Sequence, residues 1–363
     1  MLTQVPSGML QTTAQYYSMK NRIINGDFRV SQYNGANSVA LSSSGYAIDR
    51  WNHSFNFGSQ LTVGQNLNSI TPPVGFSYYF GLQNSSSAYS IGSSTYGQLR
   101  QSIEGLNVSD LQWGTSNAKA VTISFWVYAS VTGNYSLILQ NYSNALTYAT
   151  TYTITSANTW TYITITVPGP TSGSFPTTNA GCFFIDFNLG TGSSQSTSTT
   201  NSWFSGNYLN VTGTVQLVAN ANAVLYLTGV QLEVGTQATS FDYRPYGTEL
   251  QLCQRYCYVL RAAGNNTYLW SVEGGSTTNV RGGFPLRQPM RVAPTVTFGT
   301  VSWFLTQSGG WGNSTSSAIS LVAASTDNLL IDATASSINA GQGGVMLENA
   351  PTGSVLLIVN SEL

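Results

Sequence analysis

Strict alternation of apolar and polar residues runs through most of the chain, with β-branched and aromatic side chains on every second position. This period of two predicts half-buried strands. The clearest are Val121–Tyr128, Tyr135–Gln140, Thr151–Thr155, Thr161–Val167, Cys182–Leu189, Val215–Val218 and Val224–Leu232. Gly, Asn and Ser clusters at 132–134, 168–174 and 190–201 separate them as turns and loops. The segment Gly192–Asn201, GSSQSTSTTN, is low in complexity and reads as a surface loop. One stretch departs from the rule. Thr248–Ala262 has a Thr N-cap, Glu249 in the first turn, Arg261 in the last and Gly264 beyond, so its pattern predicts an α-helix. Leu250, Cys253, Cys257 and Leu260 would form one apolar seam and Leu252, Tyr256 and Val259 a second. Such a helix must be covered on two sides, either between two β domains of its own chain or against symmetry mates. Alternation resumes at 267–272, 294–305, 318–323, 329–333, 344–348 and 354–359, predicting a second, smaller all-β domain. No fixed-period repeat is present, which argues against propellers and β-helices.

Composition sharpens this picture. Only 12 Lys plus Arg and 13 Asp plus Glu occur among 363 residues, about 7% charged, against about a quarter in an average soluble protein. With 42% hydrophobic and 12% aromatic residues, the chain can bury apolar surface and is not a disordered polyelectrolyte. A net charge of −1 with two lysines, Lys20 and Lys119, supplies no basic stripe, which disfavours nucleic acid and anionic membranes as partners. No stretch approaches the roughly 20 apolar residues of a spanning helix, and the first 20 residues lack the pattern of a secretion signal. Three cysteines, Cys182, Cys253 and Cys257, match no metal or haem spacing and read as reduced core thiols.

Several segments together carry a family likeness: Lys20–Gln32 (KNRIINGDFRVSQ), Tyr46–Trp51 (YAIDRW), Leu99–Trp113, Ala118–Trp126, Leu227–Gly235 (LTGVQLEVG) and Phe241–Tyr258 (FDYRPYGTELQLCQRYCY). The chain resembles the tail-fibre and related virion structural proteins of tailed bacteriophages over about residues 20 to 260. The resemblance implies a carbohydrate-binding-module-like jelly roll that opens with the Asn-Gly-Asp-Phe strand and closes with the Gly-Val-Gln-Leu-Glu strand. Modules of that kind often hold a structural calcium through carboxylates of the first and last strands. Here the last strand offers Glu233, but Thr228 and Gly229 stand where paired acids are usual, so no cofactor is expected.

Candidate chemistry is sparse. Hydrolysis of a glycan needs two carboxylates about 5 to 9.5 Å apart in one cleft. Asp186 and Glu104 are the acids best placed on a sheet face, and ion pairing with Arg100 or Arg50 is the expected use of both. His53, the single histidine, has no acid at a suggestive spacing, and no Ser-His-Asp set can be built without it. The glycine pairs at 274–275 and 282–283 read as hairpin turns and not as phosphate loops. Aromatic rings among amides are the better lead, because sugar C–H faces stack on rings while amides take hydroxyls. Trp303, Gln307, Trp311 and Asn313 surround a Gly-Gly bend, and Trp203, Asn207 and Tyr208 form a second group.

The sequence therefore predicts an attachment segment over 1–22, a jelly-roll β-sandwich over 23–245, a linker helix over 246–264 and a β-sandwich domain over 265–363 at a receptor-binding tip. The expected role is a homotrimeric virion adhesin that binds a host surface glycan without catalysis and meets other virion proteins through its N-terminal segment. A purely structural virion part and a glycan depolymerase are the alternatives.

Overall fold

The computed structural model describes residues 19–58, 60–264, 268–299, 302–307, 310–316, 319–334, 340–341 and 343–363, without the side chains of 302–316, Glu348 and Asn349. The attachment segment expected over 1–22 thus lies almost wholly outside the described residues. Of its last residues, Arg22 donates its backbone N–H to the Leu232 carbonyl (2.9 Å), so this part belongs to the sandwich. Two compact units emerge. One runs through Glu249 and includes Leu363, and the other spans Leu250–Glu362.

The first unit contains, among the described residues, fifteen strands: β1 (Val39–Ala40), β2 (Gly45–Ile48), β3 (Trp51–Phe55), β4 (Leu61–Gln65), β5 (Phe80–Asn84), β6 (Gly97–Glu104), β7 (Val121–Ala129), β8 (Gly133–Asn141), β9 (Leu146–Ile154), β10 (Thr161–Val167), β11 (Gly181–Asn188), β12 (Ser196–Thr197), β13 (Trp203–Ser205), β14 (Asn210–Val211) and β15 (Val224–Val234). Thirteen of them form a six-stranded sheet in the order β1-β4-β5-β15-β7-β10 and a seven-stranded sheet in the order β13-β9-β8-β11-β6-β3-β2, a jelly-roll sandwich, and β12 pairs with β14 apart from these. Every ladder within these two sheets is antiparallel. Alternation explains the layers. In β11, Phe183, Ile185 and Phe187 enter the core, and in β7 Ile123, Phe125 and Val127 meet them from the other sheet. Phe125 and Phe187 pack edge-to-face with centroids 5.1 Å apart.

Residues from several of the resemblance motifs meet in one buried knot of this unit. Asn25 adopts a left-handed backbone (φ 59°), and its side chain donates to the carbonyls of Val30 (2.8 Å) and Asp49 (3.0 Å). Its carbonyl accepts the Trp51 indole N–H (3.0 Å), and its backbone N–H donates to the Glu249 carboxylate. Arg244 bridges Glu249 (3.2 Å) and the Ile23 carbonyl (3.2 Å). A Cβ on Gly26 would lie 2.1 Å from the Val230 carbonyl oxygen, so the close approach of this turn to β15 requires glycine there.

The second unit holds β16 (Cys257–Arg261), β17 (Tyr268–Gly274), β18 (Asn279–Pro285), β19 (Thr295–Phe298), β20 (Ser302–Gln307), β21 (Gly310–Ser316), β22 (Ile319–Ala324), β23 (Asn328–Thr334), β24 (Gly343–Asn349) and β25 (Val355–Asn360). A three-stranded sheet, β16-β25-β19, and a seven-stranded sheet, β21-β20-β24-β17-β18-β23-β22, share a core that includes Trp270, Phe284, Met346 and Leu357.

Four expectations are corrected. The helix predicted over 248–262 is α1, Tyr246–Gln254, and the chain then turns into β16. Leu250 and Cys253 lie on α1, but Cys257 and Leu260 are strand residues facing Asn360 and Leu357 in β25. The Tyr-Cys-Tyr-Val-Leu run favours a strand once a neighbour supplies its ladder, and that neighbour is about a hundred residues away. Arg281-Gly282-Gly283 is no turn but the middle of β18. The strand expected at 215–218 is a single 3₁₀ turn, Leu217–Ala219. Part of the 192–201 segment is strand β12, paired in parallel with β14. The three cysteines are buried, and none is joined in a disulfide among the described residues.

Candidate functional site

The outward face of the six-stranded sheet carries a band of aromatic rings. In β7 the positions alternate, so that as Phe125 and Val127 enter the core, Trp126 and Tyr128 point away from it. Cross-strand register extends the band on both sides. Tyr162 of β10 stands opposite Trp126 (centroids 5.1 Å apart), and Tyr226 of β15 stands opposite Tyr128 (5.2 Å, stacked). Trp160 meets Tyr128 at 5.6 Å and Tyr79 at 5.7 Å, and Tyr79 meets Tyr226 at 5.1 Å. Tyr79 and Tyr226 are buried and form the floor, Trp126, Tyr128 and Trp160 are half-buried, and Tyr162 is 44% exposed.

The polar ends of Trp160, Tyr79 and Tyr226 are anchored. The Trp160 indole donates to the Thr71 carbonyl (2.9 Å), and the Tyr79 hydroxyl donates to the Leu67 carbonyl (2.6 Å) while accepting from the Ile70 N–H (2.8 Å). Asn68, exposed and in a left-handed conformation, donates its amide to the Tyr226 hydroxyl (2.7 Å) and to Gln83 (3.1 Å). Burial raises the pKa of Tyr79 and Tyr226, which keeps both phenols protonated. On this buried floor the half-buried Trp126, Tyr128 and Trp160 and the exposed Tyr162 are the rings open to stacking, with the Asn68 amide at the edge to take hydroxyls.

The residues singled out from the sequence fall elsewhere. Trp203, on β13, is half-buried among Trp113, Tyr148 and Phe175, and its indole donates to the Pro168 carbonyl (2.7 Å). Tyr208 packs on Phe204 at 5.6 Å, and the Asn207 side chain accepts from Gln140 (2.9 Å). Trp303 and Gln307 lie on β20, and Trp311 and Asn313 on the antiparallel β21; their side chains are outside the described residues. The ring contacts of Trp203 and Tyr208 are with Trp113, Tyr148, Phe175 and Phe204, and none is with a ring of the band. The signal for the band was present as Trp126-Val127-Tyr128, Tyr162 and Tyr226, but it reads as ordinary strand alternation until register aligns the strands.

The acids serve the fold. Asp186, fully buried, accepts both branches of the Arg100 fork (2.7 and 2.9 Å), and burial still raises its pKa against that guanidinium. Glu104 is buried on the same face of β6 as Arg100. Arg50 donates to the Ser102 carbonyl (2.6 Å). His53 is buried and pulled down to about 4. The Glu233 carboxylate accepts from Gln231 (2.9 Å), the Thr239 N–H (2.8 Å) and the Thr239 hydroxyl (2.7 Å). Three donors converge where a calcium ion would need further acceptors, so these residues do not fit that ion.

No protein-family model matches the chain, and no curated protein matches it. Among solved structures, the chain is similar to the enzymatically active domain of bacteriophage CBA120 tailspike protein 4, at 14% identity and a TM-score of 0.33, over 59% of this chain and 21% of that one. It is also similar to TmCBM61, solved with β-1,4-galactotriose, at 12% identity and a TM-score of 0.31, over 60% of this chain and 99% of that one. A third likeness is to a family 11 carbohydrate-binding module from Clostridium thermocellum, solved with a mixed-linked tetrasaccharide, at 11% identity and a TM-score of 0.28, over 56% of this chain and 98% of that one. The chain thus spans about a fifth of the tailspike domain's length, and its assignment as an all-β, jelly-roll protein rests on strand order and register.

Proposed function

We propose that this chain is a non-catalytic adhesin of a tailed-phage particle and that the ring band on the six-stranded sheet is its glycan-binding surface. The observation that carries the binding half is the band itself: a Trp126–Tyr162 pair and a cluster of Tyr128, Tyr226, Tyr79 and Trp160, set side by side by the alternation of Trp126 and Tyr128 in β7, with Asn68 and Gln83 at one edge. The particle half rests on the motif resemblance, of whose residues Asn25, Asp49, Trp51, Arg244 and Glu249 meet in the buried knot. Absence of turnover is supported by Asp186, whose carboxylate is spent on Arg100. A homotrimer belongs to the same reading, and light scattering on the purified chain tests it.

The test of the surface is retention of the full chain on immobilised host cell-surface polysaccharide, with Trp126→Ala and Tyr162→Ala beside the parent and melting measured for each. Loss of retention with the fold intact supports the reading. Retention unchanged in both variants removes the band from binding, and release of new reducing ends from the polysaccharide would make the protein an enzyme.

A further inference from the structure

The second unit carries a groove that the ring band does not explain. Its volume is about 350 Å3, and it lies on the outward face of the sheet over β17, β18 and β23. Gly282 and Gly283 sit side by side in β18, yet only one is explained by packing. A Cβ on Gly282 would come within 2.7 Å of the Trp270 ring and of the Ser271 carbonyl oxygen, so the inward position must be glycine. A Cβ on Gly283 would meet nothing within 4 Å, and its backbone does not lie in the left-handed region. Glycine in a strand interior costs stability and leaves no side chain to pack, and it often marks a place where another molecule approaches the backbone closely.

Ser271, Glu273 and Arg281 give the groove polar walls, and Arg281 is held from beside it by Asp332 of the neighbouring strand. Arg281 donates through Nε (2.6 Å) and Nη2 (2.8 Å) to both oxygens of Asp332, which stands opposite it in register. Asn279 donates a further hydrogen bond to that carboxylate (3.0 Å). Glu273, exposed, faces Arg281 from β17, and the Ser271 hydroxyl lies 3.2 Å from the Tyr268 hydroxyl. Leu330 is the cross-strand partner of Gly283 and gives the floor an apolar patch.

We propose that the groove over Gly283 binds a neutral saccharide unit, its C–H face on Gly283 and Leu330 and its hydroxyls between Arg281, Asp332 and Glu273. One cation stands against two carboxylates, so phosphate, sialic acid and uronic acids are repelled. The guanidinium between the acids also prevents them from chelating a metal. The fork keeps the donor and acceptors pre-positioned, which lowers the entropy cost of binding. This site is separate from the ring band and does not depend on it.

The experiment is saturation-transfer NMR on the full chain carrying Trp126→Ala and Tyr162→Ala, so that the band is silent. The probes are galactose, glucose, mannose and N-acetylglucosamine at millimolar concentration, with N-acetylneuraminic acid and inorganic phosphate as anions. At least one neutral sugar gives transfer, the anions give none, and Gly283→Val abolishes the signal while melting is held or raised, since valine suits a strand. Arg281→Gln weakens the same signal without moving the melting point. No transfer from any neutral sugar overturns the proposal, as does transfer that survives Gly283→Val. A changed oligomeric state in Gly283→Val without any sugar signal would assign the groove to a second copy of this chain and overturn it equally.

Discussion

The two units each hold an Arg–Asp fork across neighbouring antiparallel strands, and the forks are nearly the same in length. Arg100 and Asp186 meet at 2.7 and 2.9 Å in the sandwich, and Arg281 and Asp332 at 2.6 and 2.8 Å in the second unit. Their electrostatics have opposite signs. Asp186 is fully buried, and its pKa is raised because loss of water outweighs the guanidinium. Asp332 is lowered, because hydrogen bonds from Arg281 outweigh a slight loss of water. Geometry alone therefore says little about what a fork is for. In the sandwich it neutralises a polar face that other chain segments cover, with Arg100 also 4.0 Å from the Phe184 ring centroid. In the second unit it stands on an open sheet face, available to a ligand.

The comparison can be broken most forcefully at Arg100. Arg100→Ala leaves a fully buried carboxylate unpaired and should cost about 3–5 kcal/mol, read as a drop in the urea midpoint. Replacing the pair together, Arg100→Met with Asp186→Leu, should recover most of that loss. If the single variant is as stable as the parent, the fork is not what keeps Asp186 tolerable in the sandwich.

Next in size is the acid response of the sandwich. Burial pulls His53 from its ordinary 6.5 to about 4, against a hydrogen bond to the Ser43 backbone. The folded state resists the charged form, so the stability contributed by the neutral ring is complete above pH 6.5 and is lost as pH falls through 4. Burial pushes Asp49 the other way, from 3.8 to about 6, despite hydrogen bonds from Gln32. Its contribution is complete below pH 3.8 and is lost as pH rises through 6. Between pH 6 and 4 the two oppose each other. Relative to His53→Gln, the parent should lose up to about 3 kcal/mol on going from pH 7 to 4. Relative to Asp49→Asn it should gain over the same range, and urea midpoints at the two pH values check both signs. A parent that tracks both variants at all pH values would place these groups in water.

Smaller effects separate binding from folding. Trp126→Ala should weaken glycan retention by up to about tenfold, since ring stacking contributes about 0.5–1.5 kcal/mol beyond burial. Tyr162→Ala should do less, because Tyr162 sits at the exposed edge of the band. The smallest change is expected at the second fork: Arg281→Ala should leave the melting temperature within error, as exposed ion pairs usually do. A large drop there would mean that the open face is covered in solution.

Local chemistry was legible in the sequence because alternation is a property of neighbouring residues. Thr161–Val167 is a strand with the bounds its pattern predicts, and the all-β class with a sandwich first and a smaller β unit after it follows from the same signal. The buried, reduced state of the three cysteines was legible for a similar reason, since their spacing fits no ligand set. Long-range facts were not. Cys257–Leu260 satisfies a helical seam and a strand equally well, and only the ladder to Leu357–Asn360 selects the strand. Trp203 looked like a loop ring until Trp113, Tyr148 and Phe175 closed around it. The ring band and the Gly283 groove depend on which strands lie side by side and in which register. That is set by backbone hydrogen bonds between segments far apart in the chain, and a period of two cannot encode it.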